Sequence, residues 1–204
     1  DLHGEGPSAS LRYVQDDETP RMTMSHMTLA ELRDKRIILI GFEATNRAFF
    51  SHLRETYPDL HITIADANLE LDLPDDANVS SQLGEGYLAS IDTFDVIVRS
   101  PGVRYWPELE AVRDRVATAT NIFFHTVRKT SKAKIIGITG TKGKSTTSSM
   151  MSELLKTAGY DTQLFGNVGN PDWEIINRVN DDTWIVYELS SYMLQDFTSY
   201  PDIA

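Results

Sequence analysis

Cysteine is absent from the 204 residues. That excludes disulfide staples and thiolate metal sites, and it fits a reducing compartment, with the cytoplasm as the expected location. Long apolar runs are missing too. None approaches the roughly 18 residues of a membrane-spanning helix, and the start is not of the charged-then-apolar signal-peptide type, so no membrane partner is expected. Basic residues are the minority, 19 Lys and Arg against 30 Asp and Glu, for a net charge of −11. With no basic face to displace counterions from a duplex, nucleic acid is not an expected partner. The five histidines, at 3, 26, 52, 61 and 125, are scattered without metal-ligand spacing. Small anions stay open as ligands, because a nest of backbone N–H groups holds phosphate whatever the global charge.

What is present is the patterning of an ordinary globular chain, 41% apolar and long enough to bury a core. Residues 1–27 lack Met at the first position, show no hydrophobic period and are rich in Gly, Pro, Ser and Asp; they read as a mobile extension. Order is expected from Thr28, where the capping-box spacing of Thr28 and Glu31 opens a short helical turn. The segments 36–41 ("RIILIG"), 61–66 ("HITIAD") and 95–102 ("DVIVRSPG") read as buried strands, and 45–55, 107–116 and 121–129 as helices. Residues 67–90 read as an acidic loop with a short helix near Tyr87. A second unit begins at Lys132: "AKIIGIT" as a strand, then a glycine-rich loop, then "STTSSMMSELLKTAG" as a helix whose Met150, Met151, Leu154, Leu155 and Ala158 share a face. The segments "TQLFG", "PDWEIINRV" and "TWIVYE" continue the alternation. Repeated β-α-β order predicts an α/β protein with mainly parallel sheets, in two units divided near residue 131.

The loop "ITGTKGKSTT" (138–147) carries the chemistry. Its flanking strand and helix suit a phosphate loop, in which backbone N–H groups at a helix start converge on an anion. Lys144 is placed to reach phosphate oxygens, and Ser145 or Thr146 to offer a hydroxyl to Mg²⁺. The usual spacing is not met, however: the first glycine is Gly140, three residues before Gly143, with Ile138 at the standard position. The bland alternative is a strand-to-helix turn with a solvated lysine. Against it stands Glu188, which ends the apolar run 184–187 at the strand end where open α/β sheets bind ligands, and which can supply a carboxylate to the same metal. The first unit is weaker as a dinucleotide site. After its first strand a G-x-G-x-x-G fingerprint would fall on Gly41, Glu43 and Asn46, so two of three glycines are replaced. Asp66, 25 residues after Gly41, ends the second strand, where an acid commonly meets a ribose or base.

Taken together, "GITGTKGKST", "GNVGNP" and "YELSS", after a unit ending in "VRSPGV", resemble the Mur ligases over about residues 28–204. Within that family the resemblance is to the ligases that add D-glutamate to UDP-N-acetylmuramoyl-L-alanine. It implies the short glycine spacing and a three-domain enzyme of peptidoglycan precursor synthesis. A Rossmann-like UDP-sugar domain (28–131) would precede a P-loop ATPase domain (132–204, its first part), followed by a domain for the incoming amino acid. ATP and Mg²⁺ would be the cofactors, and amide formation would run through an acyl-phosphate. By position, Gly140, Thr141, Lys142 and Gly143 would form the phosphate cradle with Lys144, Ser145 and Thr146. Lys144 and Glu188 would act in catalysis, Ser145 and Glu188 would hold Mg²⁺, and Asn167 and Ser190 would face substrate. Ala44 and Thr45 would lie at the diphosphate-facing turn, Asp66 near the uracil and Gly102 close by. Departures are Lys142 for the usual Asn, Met193 for a Gln, and the altered turn at Glu43 and Asn46. The sequence ends at "PDIA", before the family's metal-binding His motif and third domain, so a fragment without ligase activity of its own is expected. Alternatives left open are another Mur-type amide ligase, a folylpolyglutamate synthase, and a non-catalytic nucleotide- or UDP-sugar-binding module.

Overall fold

Strands made of four consecutive buried residues need cover on both faces, and that requirement organises the chain. The computed structural model describes residues 26–166 and 173–204. The first sheet has strands β1 (Ile37–Ile40), β2 (Ile62–Asp66), β3 (Val79–Leu83), β4 (Val96–Arg99) and β5 (Val116–Ala117), in the order β3-β2-β1-β4-β5. All its pairings are parallel. β1 and β4 are buried at every position. Side chains alternate between two cores, as the period of 2 demands. Ile37, Leu39, Ile62, Ile64, Val96 and Val98 face one, and Ile38, Ile40, Ala65 and Ile97 face the other.

Helices α1 (Ala44–Thr56) and α3 (Ala119–Thr130) contribute to the first of these cores. Thr118 caps α3, its hydroxyl accepting from Asn121 N at 3.1 Å. Arg54 closes α1 by donating to the carbonyls of Pro58 (2.6 Å) and Leu60 (2.9 Å). The second core is covered by residues 87–94 and by α2 (Pro107–Glu110), with Leu88, Ile91, Leu109 and Val112 buried.

The second sheet is parallel and ordered β6-β8-β7, from β6 (Lys134–Ile138), β7 (Thr162–Gly166) and β8 (Trp184–Glu188). β6 and β7 are joined through α4 (Lys144–Thr157), so β8 enters between them. Residues 202–203 lie along the free edge of β6, with Gly137 N donating to Ile203 O at 2.8 Å. The two sheets are not separate bodies. Phe123 stacks on Phe165 (4.3 Å between centroids) and meets Trp173 edge-on (5.7 Å), while Phe124 contacts Tyr187 (5.0 Å) and Phe197 (4.8 Å). α3 therefore fills a core shared by both sheets.

Several expectations need correction. Residues 79–83 are a strand, not loop: "VSSQL" is a half-buried edge, and such strands need no apolar run. The segment near Tyr87 forms turns rather than a helix. The helix expected over 107–116 lasts four residues, then gives way to a 3₁₀ turn at Arg113–Arg115 and to β5. The helix expected over 171–179 is a 3₁₀ helix at Trp173–Arg178. In α4, Met150 and Leu154 point outward, each 59% exposed, and the buried residues are Ser148 and Ser152. Two small side chains one turn apart let the helix backbone approach the sheet. Met27, placed in the extension by the sequence, is buried in the first core.

Candidate phosphate and nucleotide site

β6 delivers the chain to residues 139–143, and α4 begins directly after them. Gly143 is the N-cap residue with φ +77°. An added Cβ would meet nothing within 4 Å, so the demand for glycine there is conformational, not steric. The first helical hydrogen bond, Thr147 N to Gly143 O, measures 2.9 Å. The N–H groups of Lys144, Ser145 and Thr146 thus belong to a first turn that has no intrahelical acceptors for them. Gly140, Thr141, Lys142, Gly143, Ser145 and Thr146 are all exposed. Lys144 arches back over the loop, its Nζ donating to Gly140 O at 2.7 Å.

Opposite the helix start stands Glu188, only 1% exposed at the end of the central strand. Ile138 and Gly166 are its register partners on either side, so three strand ends converge here. Ser145 Oγ donates to Glu188 Oε1 at 3.4 Å, a long contact. Glu188 Oε2 is buried without a hydrogen-bond partner among the described residues. A buried carboxylate oxygen that lacks a donor is costly unless a cation completes it. With a hydroxyl beside it, the donor set is hard oxygen and fits Mg²⁺, the rest of whose shell usually comes from phosphate and water. Among the described residues no cluster of three acidic or imidazole ligands competes for that ion.

Gly166 is a site residue that the sequence reading missed. Its φ is +111°, and a Cβ there would collide with the Glu188 carbonyl oxygen and lie 2.9 Å from Glu188 N. The signal was a glycine closing a strand just before "NVG". Asn167 lies outside the described residues. Ser190 is placed two residues after Glu188, where its hydroxyl accepts from Met193 N (3.2 Å) and caps the short helix α5 (Ser191–Leu194).

In the first sheet the candidate residues also gather at the C-terminal strand ends. A small cavity of about 120 Å³ is lined by Gly41, Glu43, Asp66, Tyr87, Ser100 and Gly102. Ala44 and Thr45 open α1 after Glu43, the first exposed and the second half-buried. Both Asp66 carboxylate oxygens are engaged by backbone, Oδ2 by Phe42 N (2.8 Å) and Oδ1 by Asn68 N (2.9 Å), so Asp66 shapes the turn. Asn46 explains its missing glycine. It is buried, and its Nδ2 donates to Gly41 O (2.8 Å) and Ile40 O (3.2 Å), tying helix to strand through a side chain. Beside this cavity opens a wider cleft of about 490 Å³ with Tyr87, Trp106, Gly84 and Gly86 in its walls. Sequence reasoning had no signal for Trp106, which comes from a loop 40 residues past Asp66. Burial pushes the Tyr87 hydroxyl above its usual pKa, against a hydrogen bond with Trp106.

No family model matches the chain. It is 31% identical over 184 residues to the UDP-N-acetylmuramoylalanine–D-glutamate ligase of Acetivibrio thermocellus, covering 85% of this chain and 38% of that protein. To the ligase of the same name from Clostridium acetobutylicum it is 31% identical over 181 residues, with the same two shares. To that of Clostridium beijerinckii it is 39% identical over 127 residues, 62% of this chain and 28% of that protein. The chain therefore spans well under half the length of the curated relatives it matches.

Proposed function

We propose that this chain, a stretch of a Mur ligase similar to the UDP-N-acetylmuramoylalanine–D-glutamate ligases, carries the nucleotide-binding part of an ATP-dependent amide ligase. The whole enzyme would join D-glutamate to UDP-N-acetylmuramoyl-L-alanine. The observation that carries this reading is the pairing of a first-turn lysine and serine on α4 with a buried, half-satisfied Glu188.

In this reading residues 140–146 enclose the phosphates with backbone N–H groups. Lys144 would exchange its intraloop acceptor, Gly140 O, for phosphate oxygens. Ser145 and Glu188 would hold Mg²⁺. Bound Mg·ATP would supply an electrophilic γ-phosphoryl group to the substrate carboxylate, with ADP as the leaving group. The amine would then attack the acyl carbon, lose a proton and displace phosphate. A carboxylate and a triphosphate repel each other, so the contribution of these side chains is to neutralise charge at the meeting point. The first-sheet cavity and the Tyr87–Trp106 cleft would take the UDP portion, with Gly102 and the start of α1 near the diphosphate and Asp66 fixing the turn. Asn167 and Ser190 remain assigned to the substrate side. No helix among the described residues is long and apolar enough to cross a membrane.

The test is calorimetric titration of the chain with ATP in the presence and absence of Mg²⁺, repeated on Lys144→Ala. Expected are Mg²⁺-dependent binding and a loss of at least ~10-fold in affinity in the variant, about 1.4 kcal/mol. An unchanged affinity in Lys144→Ala removes the phosphate assignment.

A further inference from the structure

Arg99 closes β4 and is the largest fully buried side chain among the described residues, at 0% exposure. A guanidinium withdrawn from water must satisfy its donors locally. Here it does so in two directions. Toward its own loop, Nη1 donates to the carbonyls of Val103 and Pro101, the second at 3.4 Å. Toward the other sheet, Nε (2.9 Å) and Nη2 donate to Asp196 Oδ2, 97 residues away in sequence. Tyr105 OH donates to the remaining oxygen, Asp196 Oδ1, at 2.9 Å, and its ring lies 4.6 Å from the Arg99 guanidinium carbon. Burial and the adjacent Asp196 carboxylate push the Tyr105 hydroxyl up to about 12, so it stays a donor at any working pH.

The two ends of this contact lie on segments that lead to the two candidate sites. Ser100, Gly102 and Val103 line the 120 Å³ cavity of the first sheet. Asp196 follows Glu188 by eight residues along a path held at each step. Leu189 N donates to Ile138 O (2.9 Å), Ser190 caps α5, and Asn121 grips the backbone beyond it through Asp196 O (2.6 Å) and Thr198 N (3.1 Å). Nothing in this path resembles a flexible tether.

We infer that Arg99 is a positioning residue that couples the two sites: it ties the 100–103 rim of the first-sheet cavity to the segment carrying Glu188, so a ligand in that cavity favours the arrangement that binds Mg·ATP. The inference rests on the proposed assignment of a uridine nucleotide and Mg·ATP to these two places. An ion pair that only glued the sheets together would stabilise the fold without making one site answer to the other. The forked geometry argues for more than glue. One planar group holds the rim carbonyls and the carboxylate at once, which a lysine ammonium, a single point of charge, cannot reproduce. Coupling of this kind is reciprocal: if occupancy of the first site tightens the second, the converse holds by the same factor.

The experiment titrates the full chain with Mg·ATP alone and at saturating UDP, and with UDP alone and at saturating Mg·ATP, for the unmodified protein and for Arg99→Lys. Thermal melts run in parallel to establish that the variant is folded. In the unmodified chain each ligand is expected to tighten the other by the same factor, about 5-fold or more. In Arg99→Lys each ligand still binds alone, and the factor drops to within twofold of unity. Amide hydrogen exchange gives a second readout. UDP alone should protect both 100–103 and 189–198 in the unmodified chain, but only 100–103 in the variant. If both ligands bind the unmodified chain with no mutual effect, or if Arg99→Lys keeps the full factor and the distant protection, the coupling is refuted while the nucleotide sites stand. If the unmodified chain binds neither ligand, the assignment beneath the inference fails, and the inference with it.

Discussion

Replacing Glu188 with Gln should move stability and binding in opposite directions. The carboxylate is buried, with one long hydrogen bond from Ser145 and one oxygen lacking a partner among the described residues. Leaving a buried polar group unsatisfied costs about 1–3 kcal/mol, and more when the group is charged. The amide keeps the volume and removes the charge, so without ligand the variant should gain about 1–2 kcal/mol, the excess of the charged penalty over the neutral one. For a chain of this size that is a rise of roughly 2–8 °C in melting temperature. With ligand the sign reverses, because the group that would meet Mg²⁺ is gone. Mg·ATP affinity should fall by at least ~10-fold and lose most of its Mg²⁺ dependence. Ligand-free thermal melts and calorimetric titrations over a Mg²⁺ series read the two effects separately. A misfolded variant would lose both, so the crossed signs are diagnostic. A lower ligand-free melting temperature, or a Mg·ATP affinity within twofold of the parent, refutes the reasoning.

Gly166→Ala tests the crowding at the same corner. A Cβ at φ +111° against the Glu188 backbone combines strain of about 1–3 kcal/mol with overpacking of similar size, and should lower the melting temperature by roughly 5–20 °C; a shift under 1 °C would mean that the strand ends yield freely. Asp95→Asn tests acid sensitivity. Side-chain and backbone hydrogen bonds from Arg36 hold the Asp95 carboxyl well below the usual carboxylate range. Its folded-state pKa is depressed, so its contribution is complete above the unfolded value near 4 and disappears as pH falls through the lower folded value. The parent should exceed the variant in denaturant-derived stability at pH 6–7, with the gap closing in acid; a gap independent of pH contradicts the ion pair.

The glycine-rich loop and the acid that end their strands are local features, which is why their positions were legible in the sequence. The buried apolar runs at 37–40 and 96–98 fix two parallel strands, because side chains apolar on both faces have no other stable place. The loop before Lys144 and the acid at 188 sit at strand ends for the same reason. Failures fell where burial is partial. "VSSQL" pairs through its backbone and so shows no apolar signature. "PELEAVRDRV" has helical composition but must turn into β5 after one turn. The Met150–Leu154 face of α4 was misplaced because period alone does not say which stripe of a helix lies against a sheet.

By itself, then, the sequence determined the α/β class, the buried parallel strands and the place of a glycine-rich loop between strand and helix, since these depend on side-chain period and on backbone freedom within a few residues. Only the tertiary structure decided which groups meet across long separations. It put Phe123 and Phe124 into a core shared by two sheets, converted a missing glycine into the Asn46 clamp, and left one oxygen of Glu188 without a protein partner among the described residues. It also joined Arg99 to Asp196 across 97 residues. Such pairings follow from how layers stack and where charge can be satisfied away from water, and no local pattern encodes either.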